Sequence, residues 1–598
     1  MSSAAARIEK LRRRMLQEKI DFFLIGSSDY HASEYVGDYF KVSEFFSGCT
    51  SDNVKLIVGQ NTALLWTDGR YFISAAAELT GSGILLMKSG EPGVPTVETF
   101  LRENLHEGMT LAFDGLTIDA LSGQCYRGIA EKAGARIKTD LDPADGIWMD
   151  RPSLPCHKVM LLSDDLTGES TEDKLGRVRG QMKKKGAVCH MISKLDDICW
   201  LFNIRGRDVQ CNPVALSYCF ITMEDVFLFL QEEERTEEFD VWAQEKDITV
   251  RPYASVPDFL EKYEFKGTCM FEPGAVSCSI ADTIRSRTTA LETDNPTEAM
   301  KAVKNPVEIA HLKRCYLEDS VQLCRFICWF AKNVGRIEIT EISAADHLDS
   351  LRAQIPGFLE LSFPTISAYG ANAAMAHYAA TEESYAVVGE KGFLLVDSGG
   401  QYLGGTTDVT RTMTAGELTD AERRDFTLVT VANLNLLNAK FRHGVTGRFL
   451  DAYARAPLWE YGMDYNHGTG HGIGYILNVH EGPHNIRWRY SGNQKEAVFE
   501  PGMIVSDEPG IYIEGRYGIR IETILLTVED ETNAFGRFLR FEPLTYAPID
   551  LKAIDFRYMQ PKDIKRLNEY HALVREKISP YLNGEELEWL LEATREVG

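Results

Sequence analysis

A chain of 598 residues is too long for one hydrophobic core and divides into several domains. It is 44% hydrophobic and 25% charged, the balance of a soluble globular protein, and no apolar run approaches the ~18 residues of a membrane span. A net charge of −24 repels nucleic acid and anionic membrane, so neither is an expected partner.

The first segment, "MSSAAARIEKLRRRMLQEKIDFFLIG", lacks the apolar centre of a signal peptide. It reads as an amphipathic helix from Arg7 to Lys19 feeding a strand, and the expected location is the cytoplasm. The same helix-then-strand pattern returns from Asp173 in "DKLGRVRGQMKKKGAVCHMI", which predicts two similar α/β domains in tandem. "LDPADGIWMDRPSLP" (141–155) has the composition of a linker between them. In "NPTEAMKAVKNPVEIAHLKRC" (295–315), two Asn-Pro steps break structure ahead of a long helix and mark a second boundary.

The 12 cysteines form no CxxC pair, and Cys324 and Cys328 sit in an apolar helical stretch as core thiols, which suits a reducing compartment. No cysteine follows Cys328. A metal site beyond it therefore uses oxygen and nitrogen ligands, which favours a hard ion such as manganese.

The remaining C-terminal sequence carries the chemistry. "GFLLVDSGG" (392–400) is a strand ending at Asp397, "SGGQYLGG" is a turn, and "TTDVTRTMT" (406–414) is a second strand bearing Asp408. A capping box, Thr419 to Glu422, opens the next helix. "MIVSDEPGIYIEGRYGIRIETILLTVE" (503–529) predicts two strands joined at "EGRYG", which place Glu508 and Glu522 as the earlier pair places Asp397 and Asp408. Arg520 and Glu522 are two apart and face one side of their strand, and His471 lies in the loop "HGTGHGIG" (467–474) between the two hairpins.

Taken singly, a strand-end aspartate is usually a turn residue and a lone histidine a satisfied hydrogen-bonding group. As a set, four inward carboxylates need compensation, because each buried unpaired charge costs several kcal/mol. Two divalent cations would match four negative charges, His471 would complete the ligands, and Arg520 would balance a hydroxide bridging the metals. That is the arithmetic of a two-metal hydrolytic site. The competing reading of "HGTGHGIG" as a phosphate-cradling loop fails, since it lacks the GxGxxG spacing and a surrounding βαβ unit.

The order Asp397, Asp408, His471, Glu508, Glu522 resembles the metal-ligand set of the pita-bread metallopeptidases. "WTDGRYF" (66–72), "KAVKNPVEI" (301–309), "VDSGGQYLGGTTDVTRT" (396–412), "NHGTGHGIGYILNVHEGP" (466–483) and "GIRIET" (518–523) are similar to the three-domain, cytosolic Xaa-Pro aminopeptidase family within that group. One local departure is "FFSGCTSDNVKLIV" (45–58), where the family often has a Gly/Ala-rich run.

The resemblance implies an α/β multidomain chain: two tandem creatinase-N-like domains over 1–153 and 154–308, then a C-terminal pita-bread α+β catalytic domain with its extension over 309–598. It implies release of the N-terminal residue from peptides with proline at the second position. It gives Asp397 to one metal, Asp408 and Glu522 to both, and His471 and Glu508 to the second, with Glu508 as proton shuttle and manganese as the usual ion. His377, His467 and His480 match substrate-facing histidines, and Arg70 matches an arginine that reaches the peptide. A homodimer associating through the catalytic domain is the family expectation. Two alternatives remain at this level. An Xaa-Pro dipeptidase is opposed by the presence of two N-terminal domains, and a catalytically silent binding module by the retention of all five ligands.

Overall fold

The computed structural model describes residues 3–490 and 495–598. The chain folds into two compact units, one of residues 1–164 and 169–298, the other of 165–168 and 299–598.

The first unit contains one motif twice. Helix α1 (Ser3–Glu18) buries Ile8, Leu11 and Met15 and leads into β1 (Phe22–Gly26). That strand lies inside a six-stranded sheet with β2 (Lys55–Gly59), β3 (Ala63–Thr67), β4 (Leu85–Lys88), β5 (Thr110–Phe113) and β6 (Arg136–Lys138), in the order 4-3-2-1-5-6. Helix α2 (Thr171–Lys185) leads likewise into β7 (Cys189–Ile192). Its sheet adds β8 (Tyr218–Thr222), β9 (Val226–Leu230), β10 (Ile248–Pro252), β11 (Cys269–Phe271) and β12 (Ala290–Glu292), in the order 10-9-8-7-11-12. Strand directions correspond as well: β1 and β7 each pair antiparallel with the next strand of their sheet and parallel with β5 or β11. The repeated helix–strand pattern is thus a repeated sheet topology. Equivalent positions of the two copies meet, since Ala120 N–H donates to the Val276 carbonyl at 2.9 Å and Cys278 N–H to the Ile118 carbonyl at 2.7 Å.

The second unit opens on α3 (Pro306–Asn333). Asn305 caps it: its side chain accepts from the backbone of Val307 and Glu308, the Glu308 carboxylate accepts from Asn305 N–H, and Pro306 takes the first-turn position where a missing N–H costs nothing. Cys324 and Cys328 are free buried thiols on this helix. Helix α4 (Glu341–Arg352) follows. Next come β13 (Ile366–Tyr369), β14 (Phe393–Ser398) and β15 (Val409–Thr414), an antiparallel sheet with β14 in the centre. Helix α5 (Asp420–Leu437) starts at the predicted Thr419–Glu422 capping box. It is buried on nearly every face from Asp425 to Leu437, as its run "FTLVTVANLNLL" demands.

A six-stranded antiparallel sheet completes this unit. It contains β16 (Lys440–Arg442), β17 (Gly470–Gly472), β18 (Glu481–Ile486), β19 (Ile504–Asp507), β22 (Thr523–Asn533) and β23 (Gly536–Pro543), in the order 16-23-22-19-17-18. Strands β20 (Gly510–Ile513) and β21 (Tyr517–Arg520) pair separately with each other, and α6 (Gly447–Trp459) precedes β17. Phe326, Phe330, Phe393, Phe426, Val505, Leu525 and Phe541 share one core.

Three local expectations change. The segment 503–529 forms four strands rather than two, because Pro509 has no N–H to continue the ladder and the facing strand breaks opposite it at Ile521–Glu522. The glycine-rich turn after β14 is itself a small hairpin, Gly400–Tyr402 against Gly405–Thr406, so the following strand begins at Val409. His471 lies on a short strand, not in a loop. Among the described residues, no helix is long and apolar enough to cross a membrane.

Candidate metal centre

Strand ends and strand breaks of the second unit converge on one point. Asp397, one residue from the end of β14, lies opposite Thr410 on β15, and Asp408 immediately precedes β15. Asp507, at the end of β19, pairs with Thr523, the first residue of β22. Glu508 and Glu522 occupy the adjoining breaks, so both carboxylates leave the sheet at the same level. Each backbone there is held. Glu508 N–H donates to the Thr469 carbonyl at 2.9 Å, Glu522 N–H donates to the Thr410 carbonyl at 3.1 Å, and buried Arg411 donates to the Glu522 carbonyl.

His471 enters through β17, where two glycines allow very close main-chain approach. A Cβ at Gly470 would overlap the Ser506 carbonyl, and one at Gly472 the Glu481 carbonyl. The histidine's orientation is fixed from behind. Its backbone N–H donates to Ser506 Oγ at 2.9 Å, and Nδ1, 3.0 Å from the Gly472 carbonyl, is the protonated nitrogen of a neutral ring there. Nε2 then faces Asp408 Oδ2 at 3.4 Å and Glu508 Oε1 at 3.5 Å. Asp408, His471 and Glu522 each offer one donor atom, all within 4.8 Å of one another.

Arg520 is the guanidinium of this cluster. It donates to Asp397 Oδ2 at 2.6 Å, to Thr410 Oγ1 at 3.1 Å and to the Tyr512 hydroxyl at 2.7 Å. The Thr410 hydroxyl donates onward to Glu522 at 2.8 Å. Arg520 and Glu522, expected on one face, are thus joined through a threonine.

The electrostatics ask for more positive charge. Burial pushes the Asp397 carboxyl up to about 6, with Arg520 opposing and Asp408 adding to the rise. Burial raises Glu522 well above the carboxylate range, and Asp408, Asp397 and Glu508 raise it further. Burial alone would lower His471, but Asp408 and Glu508 outweigh it and push the ring up to about 9. Asp397 Oδ1 is buried without a protein partner. An imidazole lone pair, carboxylate oxygens and an orphaned acidic oxygen facing one space are a donor set for cations. With four carboxylates and one imidazole, the residues fit two divalent ions of oxygen-preferring type.

The expected substrate residues fall in two places. His480 lies against His471, ring centroids 4.3 Å apart and edge to face. His377 is half-buried, and its neighbour Ala376 offers its carbonyl to Arg520 at 3.5 Å. His467 has both ring nitrogens engaged, Nδ1 with the Gly468 carbonyl at 2.7 Å and Nε2 with the Tyr512 hydroxyl at 3.0 Å. Arg70 belongs to the first unit, where it forms a bidentate pair with Asp68, both contacts 2.9 Å. Sequence reasoning missed Thr410, Arg411, Ser506 and Tyr512. Only Thr410 carried a signal, two residues after Asp408 on the same strand face.

Known proteins resemble the chain along its whole length. The Creatinase/Prolidase N-terminal domain matches twice, over 7–148 and 150–308. Metallopeptidase family M24 matches 311–529, and the C-terminal region of peptidase M24 matches 537–597. A probable Xaa-Pro aminopeptidase P of Laccaria bicolor is 36% identical, over 98% of this chain and 92% of its own length. Another, of Fusarium vanettenii, is 36% identical over 99% of both. A solved X-prolyl aminopeptidase from Caenorhabditis elegans, described as a cytosolic enzyme with a di-nuclear active site, superposes with a TM-score of 0.94 at 33% identity and covers both chains completely. With two creatinase-type domains ahead of an M24 domain of pita-bread fold, the chain belongs to the Xaa-Pro aminopeptidases of metallopeptidase family M24.

Proposed function

We propose that the chain removes the N-terminal residue from peptides whose second residue is proline, and that Asp397, Asp408, His471, Glu508 and Glu522 hold the two divalent cations this needs. The observation that carries the reading is the convergence of four carboxylates and an imidazole lone pair with Arg520 as their guanidinium. Asp397 would serve one cation, Asp408 and Glu522 would serve both, and His471 and Glu508 would serve the second. Manganese suits a set of oxygens and one imidazole without thiolate. Such a pair of ions would supply an activated water and polarise the scissile carbonyl.

The chain's own groups do the rest. Glu508, steadied by the Ser506 hydroxyl at 3.2 Å, carries a proton toward the leaving proline nitrogen. His480 and His377 are the direct donors to the peptide backbone and to the oxygen that gains charge. His467 reaches substrate only by giving up its bond to Tyr512. Arg520 holds Asp397 and offsets negative charge, and Arg70 serves peptide beyond the proline. The three-domain division at 153 and 308, a cytoplasmic setting and a homodimer near twice 67.2 kDa belong to the same reading.

Substrate length tests it. A tripeptide such as Arg-Pro-Pro should exceed an Xaa-Pro dipeptide in kcat/KM by about ten- to a hundredfold, the worth of one charge-assisted hydrogen bond. The preference should shrink in Arg70→Ala. Chelation should abolish the activity and manganese restore it. An enzyme that hydrolyses dipeptides alone would be a dipeptidase, and this reading would be wrong.

A further inference from the structure

Outside the metal cluster, one fully buried carboxylate gathers an unusual number of donors. Glu341, the first residue of α4, has no solvent exposure. Its Oε1 accepts from Tyr369 N–H at 2.6 Å and from Asn372 Nδ2 at 3.0 Å. Its Oε2 accepts from Asn372 Nδ2 at 3.1 Å, from the Tyr378 hydroxyl at 2.8 Å and from Ala386 N–H at 2.6 Å. Its backbone N–H returns a bond to the Ala386 carbonyl at 3.0 Å, and Val388 N–H bonds the Ile339 carbonyl at 2.8 Å.

All four donor residues belong to one excursion of the chain. It leaves β13 at Tyr369 and returns at Ala386, so Glu341 ties its two feet together, while Asn372 and Tyr378 tie its interior to the same carboxylate. His377 sits between those two interior ties. The excursion is also seated on the metal-site strands. A Cβ at Gly518 on β21 would overlap the Ala373 carbonyl, and Arg520 Nη2 reaches the Ala376 carbonyl. Charge-assisted bonds to backbone N–H groups are short and directional, so a single carboxylate fixes the segment more firmly than separate neutral contacts would.

We propose that Glu341 is the positioning residue that sets His377 against the metal centre, acting through the 369–386 segment without touching substrate. The proposal rests on the role given to His377 above. A glutamine at 341 keeps the size but turns one acceptor oxygen into an amide donor, facing groups that are themselves donors.

The experiment is a double-mutant cycle on a proline-second tripeptide, with manganese saturating. His377→Ala and Glu341→Gln should each lower kcat/KM by about ten- to a hundredfold, and the double variant should lose little more than the worse single one. Bound metal should stay at the wild-type level in Glu341→Gln, and hydrogen exchange of 370–386 should quicken. Should Glu341→Gln fold poorly, Tyr378→Phe removes one tie and should move both readouts the same way by less. Losses that multiply in the double variant, or full activity in Glu341→Gln beside a damaged His377→Ala, would overturn the positioning role alone. Full activity in His377→Ala would remove the role of His377 itself, and this proposal with it.

Discussion

Two buried clusters of charge lie back to back on the β14–β15 hairpin, and they are built on opposite principles. Behind it, Arg352 of α4 donates to Asp319 of α3 at 2.8 Å and to the Ser398 carbonyl at 3.3 Å, and the Thr407 hydroxyl donates to Asp319. Ser398 is the neighbour of Asp397 and Thr407 the neighbour of Asp408. One acid meets one base there, with both side chains at most 3% exposed. On the other side, Asp397, Asp408, Glu508 and Glu522 share Arg520 and the single imidazole of His471. Burial of charge is common to both clusters and says little about function. The imbalance distinguishes them: in the first, acid and base cancel in charge within the protein, whereas in the second the negative charge is matched only by added cations.

Breaking the unbalanced cluster should have the largest effect on chemistry. Asp408→Asn replaces a carboxylate able to serve two cations with a neutral amide. It should cost on the order of a thousandfold or more in kcat/KM and reduce bound manganese measured by elemental analysis. Wild-type turnover with full metal content in that variant would end the distinction drawn here. The balanced cluster should fail differently. Asp319→Asn leaves Arg352 buried without its countercharge and should destabilise the fold by about 3–5 kcal/mol, a fall visible in Tm. Molecules that remain folded should keep their metal, and loss of metal in proportion to activity would show that the two clusters are not independent.

The smallest effect is a pH dependence of the metal-free protein. The folded Asp397 carboxyl lies up at about 6 against an ordinary 3.8, so its contribution to stability is present below about pH 4 and lost as pH rises through 6. His471, raised from 6.5 to about 9, contributes below 6.5 and loses that contribution as pH rises through 9. Cations bind the deprotonated groups. The Tm gap between manganese-loaded and metal-free protein should therefore widen from pH 5 to pH 8, and a constant gap would count against the ligand assignment.

What could be read without coordinates follows from how far each signal reaches along the chain. The tandem helix–strand pattern, the capping box at Thr419, the Asn-Pro step ahead of the long helix, and acids interrupting apolar strands are local, and short windows contain them. Glu341 reads in such a window as an ordinary first-turn helix acid, and Asp319 as a polar position on a long helix. Their partners at Ala386, Arg352 and Thr407 are brought in by tertiary packing that no window contains. The four-strand form of 503–529 lay between these cases: Pro509 was visible, but the break opposite it at Glu522 depends on pairing with the first break.

The glycines flanking His471 make β17 a rigid link in a linkage. A Cβ at Gly470 would overlap the main chain of Ser506 on β19, and one at Gly472 the main chain of Glu481 on β18. Slack in a protein interior resides mostly in rotamers, and a contact of backbone on backbone has none of its own. Gly470 of β17 thus bears directly on the backbone of Ser506 in β19, two residues from Glu508. The spacing between the imidazole and the carboxylate is thereby gauged by the thickness of the peptide backbone itself, the one dimension of a protein that substitution cannot alter.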